Sequence, residues 1–144
     1  MKTLLLLHGP NLNKLGTRDT SQYGTLTLPE LEKSVKEKLR ERGFELIAFQ
    51  SNHEGALIDA IQQHAPACVG MIINPGAFTH YSYAIYDAII DSKLPAVEVH
   101  LSNIKEREPW RAHSVIAPAC VHSIMGKKLQ GYFEAVDHLA EILS

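Results

Sequence analysis

Glu98 and His100 stand two residues apart in the otherwise apolar run Ala96-Val-Glu-Val-His100. Side chains on a strand alternate, so both point to one face. A carboxylate beside an imidazole selects its tautomer and favours its protonated form, which makes a proton donor. A solvated pair at a strand end is the plainer reading of the same residues. Two asparagines adjoin backbone turns, Asn11 after Gly9-Pro10 and Asn74 before Pro75-Gly76. Their amides suit gripping a carboxylate or a water, and equally suit forming the turns themselves. The stretch Leu15-Gly-Thr-Arg-Asp-Thr-Ser-Gln-Tyr-Gly24 has glycines near both ends, as a lid would. Within it, Arg18 and Tyr23 can fold back together over a ligand. A guanidinium near a phenol favours phenolate, which turns tyrosine into a usable base. Alone, an arginine and a tyrosine in a loop mean little.

Other chemistries find less support. His80, His100 and His113 are possible zinc ligands, but no paired-histidine helix motif or Cys/His cluster accompanies them. The glycine-rich loops that grip dinucleotides or nucleoside triphosphates are missing, and so is a nucleophilic serine elbow. Cys68 and Cys120 lie in apolar runs without paired spacing, which suits buried, reduced thiols in a cytoplasmic protein. An enzyme built on these residues works by acid–base chemistry, with no cofactor and no metal.

The elements that must position these groups follow from the apolar pattern. The chain has 144 residues, 45% hydrophobic and 21% charged, with a formal charge of −2. Residues 1–144 therefore read as a single domain with a real core. Disorder is excluded by the composition, and the charge argues against a nucleic-acid carrier. No apolar stretch reaches membrane-spanning length, and residues 4–7 are too short for a signal peptide. Apolar runs predict strands over 3–7, 45–49, 69–73, 96–99 and 119–125. Helical spacing predicts helices over 28–42, from about 53 to Pro66, over 81–91 and over 129–143. Thr27 with Glu30 is a capping box, Gly43 a stop, and Ser51-Asn52 a cap for the second of these helices.

Alternating strands and helices, with the strands apolar throughout, mean a parallel sheet covered on both faces. The solution is a flavodoxin-like α/β three-layer sandwich with a five-stranded parallel sheet. Ligands bind such sheets beyond the carboxyl ends of the strands. Those ends here are His8-Gly-Pro-Asn11, Asn74-Pro-Gly-Ala-Phe-Thr-His80 and Glu98-Val-His-Leu-Ser-Asn103. Three segments deliver amide, imidazole, hydroxyl and carboxylate groups to one edge. The irregular stretches 9–26 and 102–118 are long enough to be functional or mobile.

Further segments complete an ordered set: Gln50-Ser-Asn52, Asp87-Ala88, Arg107-Glu-Pro-Trp-Arg111 with His113-Ser114, and Gln130-Gly-Tyr132. With Gly9-Pro-Asn-Leu12, Leu15-Gly16 through Tyr23-Gly24, and the strand-end segments, the chain resembles the type II 3-dehydroquinate dehydratases. These are hydro-lyases of the shikimate and quinate pathways. The resemblance implies an anti elimination of water from 3-dehydroquinate to 3-dehydroshikimate, without cofactor, in aromatic amino acid biosynthesis or quinate breakdown. It implies that Tyr23 takes a proton from C2 to give an enolate, and that Arg18 holds Tyr23 as phenolate. Asn11 would position a water at the enolate oxygen, and His100, oriented by Glu98, would protonate the leaving hydroxyl. Asn74 and the Leu101 and Ser102 groups match the substrate-carboxylate region, and His80 and Arg111 the ring hydroxyls. Asp87 matches a residue that reaches a neighbouring subunit's site in a homo-oligomer, usually a dodecamer of trimers.

Three details depart from the family pattern. Tyr81 and Tyr86 stand where many relatives carry Thr and Arg, Trp110 replaces a commoner Phe, and the stretch Gly126-Lys-Lys-Leu-Gln130 lacks a glycine that many members have before Gln-Gly-Tyr. The competing reading is a non-catalytic flavodoxin-like module that receives phosphate or another small anion. It accounts for the amides but gives Tyr23, Glu98 and His100 no joint role.

Overall fold

A computed structural model describes residues 1–144 as a five-stranded, all-parallel sheet. The strands are β1 (Lys2–His8), β2 (Phe44–Gln50), β3 (Gly70–Asn74), β4 (Ala96–His100) and β5 (His122–Met125). Their spatial order is β2-β1-β3-β4-β5. The helices are α1 (Thr20–Tyr23), α2 (Leu28–Glu41), α3 (Glu54–His64), α4 (Tyr83–Ser92) and α5 (Leu129–Leu143).

The reason β1 is apolar at every position is visible in the core. Leu4 and Leu6 pack with α2 and α5 on one face, whereas Leu5 and Leu7 pack with α3 and α4 on the other. All four are completely buried. A strand covered on both faces has no solvent side on which to alternate. The two faces of the sheet thus hold separate clusters, and α2 buries its Leu28, Leu31, Val35 and Leu39 stripe in the first. Its start is the predicted capping box, with Thr27 and Glu30 bonded reciprocally.

Most elements agree with the sequence pattern to within one or two residues, and the differences trace to particular hydrogen bonds and turns. The helix predicted to be capped by Ser51-Asn52 starts at Glu54, with His53 as its uncapped first boundary. Ser51 Oγ accepts instead from the His53 N–H at 2.9 Å, and Asn52 Oδ1 accepts from the Asn11 N–H at 2.9 Å. Helix α4 starts at Tyr83 because the Ser82 hydroxyl accepts from the Ile85 N–H, leaving Tyr81 outside. The last strand starts at His122 because Ala117–Ala119, with Pro118 inside, forms a tight turn. The stretches expected to be irregular carry short turns at Leu12–Lys14, Ile104–Glu106 and Pro109–Ala112, besides α1.

The strand order reverses at β1, since β2 lies on one side and β3 on the other. This opens a crevice beyond the β1 and β3 carboxyl ends. Its floor is two interlocked loops. A Cβ on Gly9 would lie 2.3 Å from the Pro75 oxygen, and one on Gly76 would lie 3.1 Å from Pro10. Each loop's glycine therefore faces the other loop's proline, and the Gly9 N–H donates to the Asn74 carbonyl at 2.7 Å. Gly9→Ala should force the loops apart and lower stability by about 1–3 kcal/mol, the usual scale of overpacking. Urea unfolding of both proteins measures this, and equal midpoints would mean the loops yield freely.

Candidate active site

The crevice holds a cleft of ≈ 80 Å³. Three arginines, Arg18, Arg107 and Arg111, and two histidines, His80 and His100, line it, and no carboxylate does. Such a cleft favours an anion.

Tyr23, at the end of α1, receives the most concentrated charge. Arg18 donates to its Oη at 2.9 Å and Arg107 donates to the same atom at 2.7 Å. The Arg18 guanidinium also lies 3.8 Å from the centre of the Tyr23 ring. Asp19 caps α1 by accepting from the Ser21 N–H at 3.0 Å. Arg107 further donates to Ser102 Oγ at 3.3 Å, which ties the β4 end to the tyrosine.

His100 and Glu98 share a face of β4, as alternation requires, with His100 Nε2 2.7 Å from Glu98 Oε2. Glu98 is only 1% exposed. Such a burial is costly unless every lone pair is engaged. Here Thr79 Oγ1 donates to Oε2, Ser114 Oγ lies 3.0 Å from both oxygens, and Ser123 donates to Oε1 at 3.3 Å. Burial works to raise the Glu98 carboxyl. The hydrogen bond and charge of His100, with the Thr79 and Ser114 hydroxyls, outweigh it and hold the group below the usual glutamate range. Glu98 is therefore a carboxylate at neutral pH. The nearby Cys120 thiol is pushed up to about 12, first by burial and then by the Glu98 charge.

His80 is placed differently. Its Nδ1 lies 2.8 Å from the His113 carbonyl, so that nitrogen carries the proton. Burial, with smaller contributions from the charges of His100 and Arg111, lowers its pKa and keeps the ring neutral. Nε2 is then an acceptor, suited to a hydroxyl group. Trp110 meets the His80 ring edge-on at 5.2 Å, and the Arg111 guanidinium lies 4.1 Å from the Trp110 ring.

Asn74 uses its Oδ1 to accept from the Gly76 N–H at 3.1 Å and donates one amide hydrogen to Tyr132 Oη at 3.0 Å. Its second amide hydrogen remains available. The backbone N–H groups of Leu101 and Ser102 donate to no protein acceptor. Asn11 has a left-handed backbone, φ 69°, which asparagine tolerates, and Asn52 fixes its N–H.

Ten of the eleven residues singled out in the sequence thus gather in or directly behind the cleft, Glu98 being the one behind. Asp87 does not; it is exposed on α4, outside the cleft lining. Sequence reasoning assigned no role to Arg107, nor to the hydroxyls of Thr79, Ser114 and Ser123. Arg107 lies 84 residues from Tyr23, and only its place in the Arg107–Arg111 segment pointed to it. Ser123 faces Glu98 because the two are register partners across β4 and β5.

A doubly wound α/β fold with an arginine-rich cleft and a carboxylate-backed imidazole defines a small acid–base enzyme. The sequence profile of the family described as Dehydroquinase class II matches residues 2–140. A 3-dehydroquinate dehydratase of Bacillus cereus (strain G9842) is 51% identical over 143 residues, 99% of this chain and 98% of the relative. The crystal structure of type II dehydroquinase from Butyrivibrio crossotus superposes with a TM-score of 0.92 at 44% identity, covering 96% of this chain and 97% of that one. That from Propionibacterium acnes gives 0.93 at 39% identity, covering 98% and 97%. The chain belongs to the class II dehydroquinase family, and it is a hydro-lyase.

The lowered Glu98 pKa has a consequence for stability. The folded state holds its charge more firmly than the unfolded chain does, so Glu98 contributes stability above the unfolded glutamate value, about 4.3. That contribution is lost as pH falls through the lower, folded value. The stability gap between wild type and Glu98→Gln should be constant from neutral pH to about pH 5 and should shrink below it. Urea unfolding across this range checks it; a gap independent of pH would rule out the ionic role.

Proposed function

We propose that this chain removes water from 3-dehydroquinate to give 3-dehydroshikimate, by anti elimination through an enolate and without a cofactor. The observation that carries the reading is a tyrosine oxygen held by two guanidinium groups in the same cleft as an imidazole backed by an ionised glutamate. Tyr23, as phenolate, takes the proton from C2, and the electron pair moves onto the ketone oxygen. A water held by Asn11 stabilises that enolate. Its collapse breaks the C1–oxygen bond, and His100 supplies the proton with which the hydroxyl leaves as water. Tyr23 has then gained a proton and His100 has lost one, and solvent resets both.

The rest of the cleft suits the substrate's anion and hydroxyl groups. The Asn74 amide, the Leu101 and Ser102 N–H groups and the Ser102 hydroxyl would hold the carboxylate. His80, an acceptor at Nε2, and Arg111 would hold ring hydroxyls. Relatives about half identical in sequence over nearly the whole chain are named 3-dehydroquinate dehydratase, which supports the substrate assignment. An anion-binding module would use the same arginines, but it has no use for a buried carboxylate behind His100.

The same reading takes residues 1–144 as one catalytic domain working in the cytoplasm within a homo-oligomer of trimers, reaching a dodecamer. It is supported by the exposed Asp87 on α4, with Tyr81 and Tyr83 exposed beside it, as a contribution to a neighbour's cleft. No helix is long and apolar enough to cross a membrane.

The test is direct. Mixing the protein with 3-dehydroquinate should produce the ultraviolet absorbance of a conjugated enone, and no rise at any pH would favour the anion-binding module. His100→Ala should lower turnover by about a hundredfold or more, the scale of general acid catalysis. Tyr23→Phe should remove nearly all activity at every pH, because no base remains.

A second measurement addresses the arginines. Arg18→Ala should lower turnover at neutral pH and recover part of it as pH is raised, because one donor to the tyrosine oxygen is gone. Arg18→Lys should restore only part, since a point charge does not reproduce the planar fork. A loss that is the same at all pH values would mean that Arg18 serves to place the substrate.

A further inference from the structure

Ser114 does not line the cleft, yet its hydroxyl sits at the centre of the network behind it. A serine hydroxyl has one proton and two acceptor sites. The Ile116 N–H donates to Ser114 Oγ at 3.2 Å and the Ala117 N–H at 3.0 Å. Both acceptor sites are then filled, so the Ser114 proton must be given away. Only three acceptors lie in reach, the two Glu98 oxygens at 3.0 Å each and Thr79 Oγ1 at 2.8 Å. Thr79 in turn donates to Glu98 Oε2. By either route, the protons run from the backbone through the hydroxyls to the carboxylate.

We propose that Ser114 is the positioning residue that fixes which nitrogen of His100 faces the cleft. Ser114 is the one hydroxyl within reach of both Glu98 oxygens, since Thr79 serves Oε2 alone and Ser123 stands farther off, 3.3 Å from Oε1. A carboxylate so held has no proton to offer, so the His100 nitrogen against it must be a donor. His100 Nε2 carries that hydrogen and stays on Glu98, and Nδ1 is left for the cleft, with no protein partner. The titratable groups close to Glu98 do not disturb this arrangement. His100 is its partner, Cys120 keeps its proton far above neutral pH, and His80 is neutral. Ser114 and its two amides therefore act on His100 through Glu98, at a distance from any substrate. The proposal deepens the dehydratase reading and rests on it for the acid step alone.

The experiment combines kinetics with nitrogen NMR of ring-labelled histidine in wild type, Ser114→Ala, Ser114→Cys and Ser114→Thr. The wild-type His100 ring should show protonation at Nε2. Ser114→Ala should lower kcat by about ten- to a hundredfold, the scale seen when a group that orients a functional imidazole is lost. KM should stay within about twofold, because no substrate contact is removed. The ring signals should move to a mixture of tautomers. Ser114→Cys preserves volume with a weak donor and should show the same ring change if Ser114→Ala does not fold. Ser114→Thr keeps the hydroxyl and should restore both kcat and the wild-type ring signals.

Unchanged ring signals in Ser114→Ala or Ser114→Cys would overturn the proposal, even with reduced kcat, because a merely structural role moves activity without moving the tautomer. A neutral wild-type ring with its proton on Nδ1 and Nε2 bare would overturn it as well, since the proton given up in the acid step is a second one, carried on Nδ1 while Nε2 keeps its own. The ring is read in the protein without substrate. A wild type that fails to form the enone would therefore refute the dehydratase reading and leave the Ser114 result standing.

Discussion

The charge on Glu98 organises this molecule more than any single hydrophobic contact. A carboxylate in the middle of a sheet, 1% exposed, is tolerated only when donors surround it. Those donors come from four places: Thr79 after β3, His100 on β4 itself, Ser114 before β5 and Ser123 on β5. Each is delivered by a segment with its own backbone anchor. Val115 donates to the Thr79 carbonyl at 2.7 Å, so the Thr79 and Ser114 segments are held to each other as well as to Glu98. Satisfying one charge thereby fixes the relative positions of two loops and two strands. The position of His100 follows from that arrangement.

The sandwich itself was legible because its signals are local. Five apolar runs, the Thr27–Glu30 capping box and the Gly43 stop each depend on residues a few places apart. The candidate cleft was legible for a related reason, since a parallel sheet exposes its ligands' contacts at strand ends that can be read in order. The failures that bear on the site are cases in which a side chain was claimed from a distance. Asn52 looks like a helix cap but holds the Asn11 N–H, 41 residues away, so α3 starts without a side-chain cap. Arg107 looks like a surface charge until the tertiary fold brings it to Tyr23. Thr79, Ser114 and Ser123 are ordinary hydroxyls in sequence, and only the buried carboxylate between them gives them a purpose.

The two halves of the proposed chemistry are joined by one stretch of chain. Helix α1 has four residues, too few to hold itself by helical bonds alone. The position of Tyr23 rests on the Asp19 cap and on Arg18 and Arg107. Arg107 belongs to the 102–118 stretch, and so does Ser114, seven residues later. One end of that stretch grips the tyrosine oxygen and the other grips the Glu98 carboxylate. Between them, Trp110 and Arg111 pack beside His80, whose ring is anchored on the His113 carbonyl. Base and acid thus take their geometry from the same irregular segment. That segment has few ladder bonds of its own, so its shape is set by the groups it holds. A chain that lost its grip at Glu98 would also misplace Arg107, which explains why a buried, solvent-remote carboxylate and a tyrosine at the cleft belong to one device.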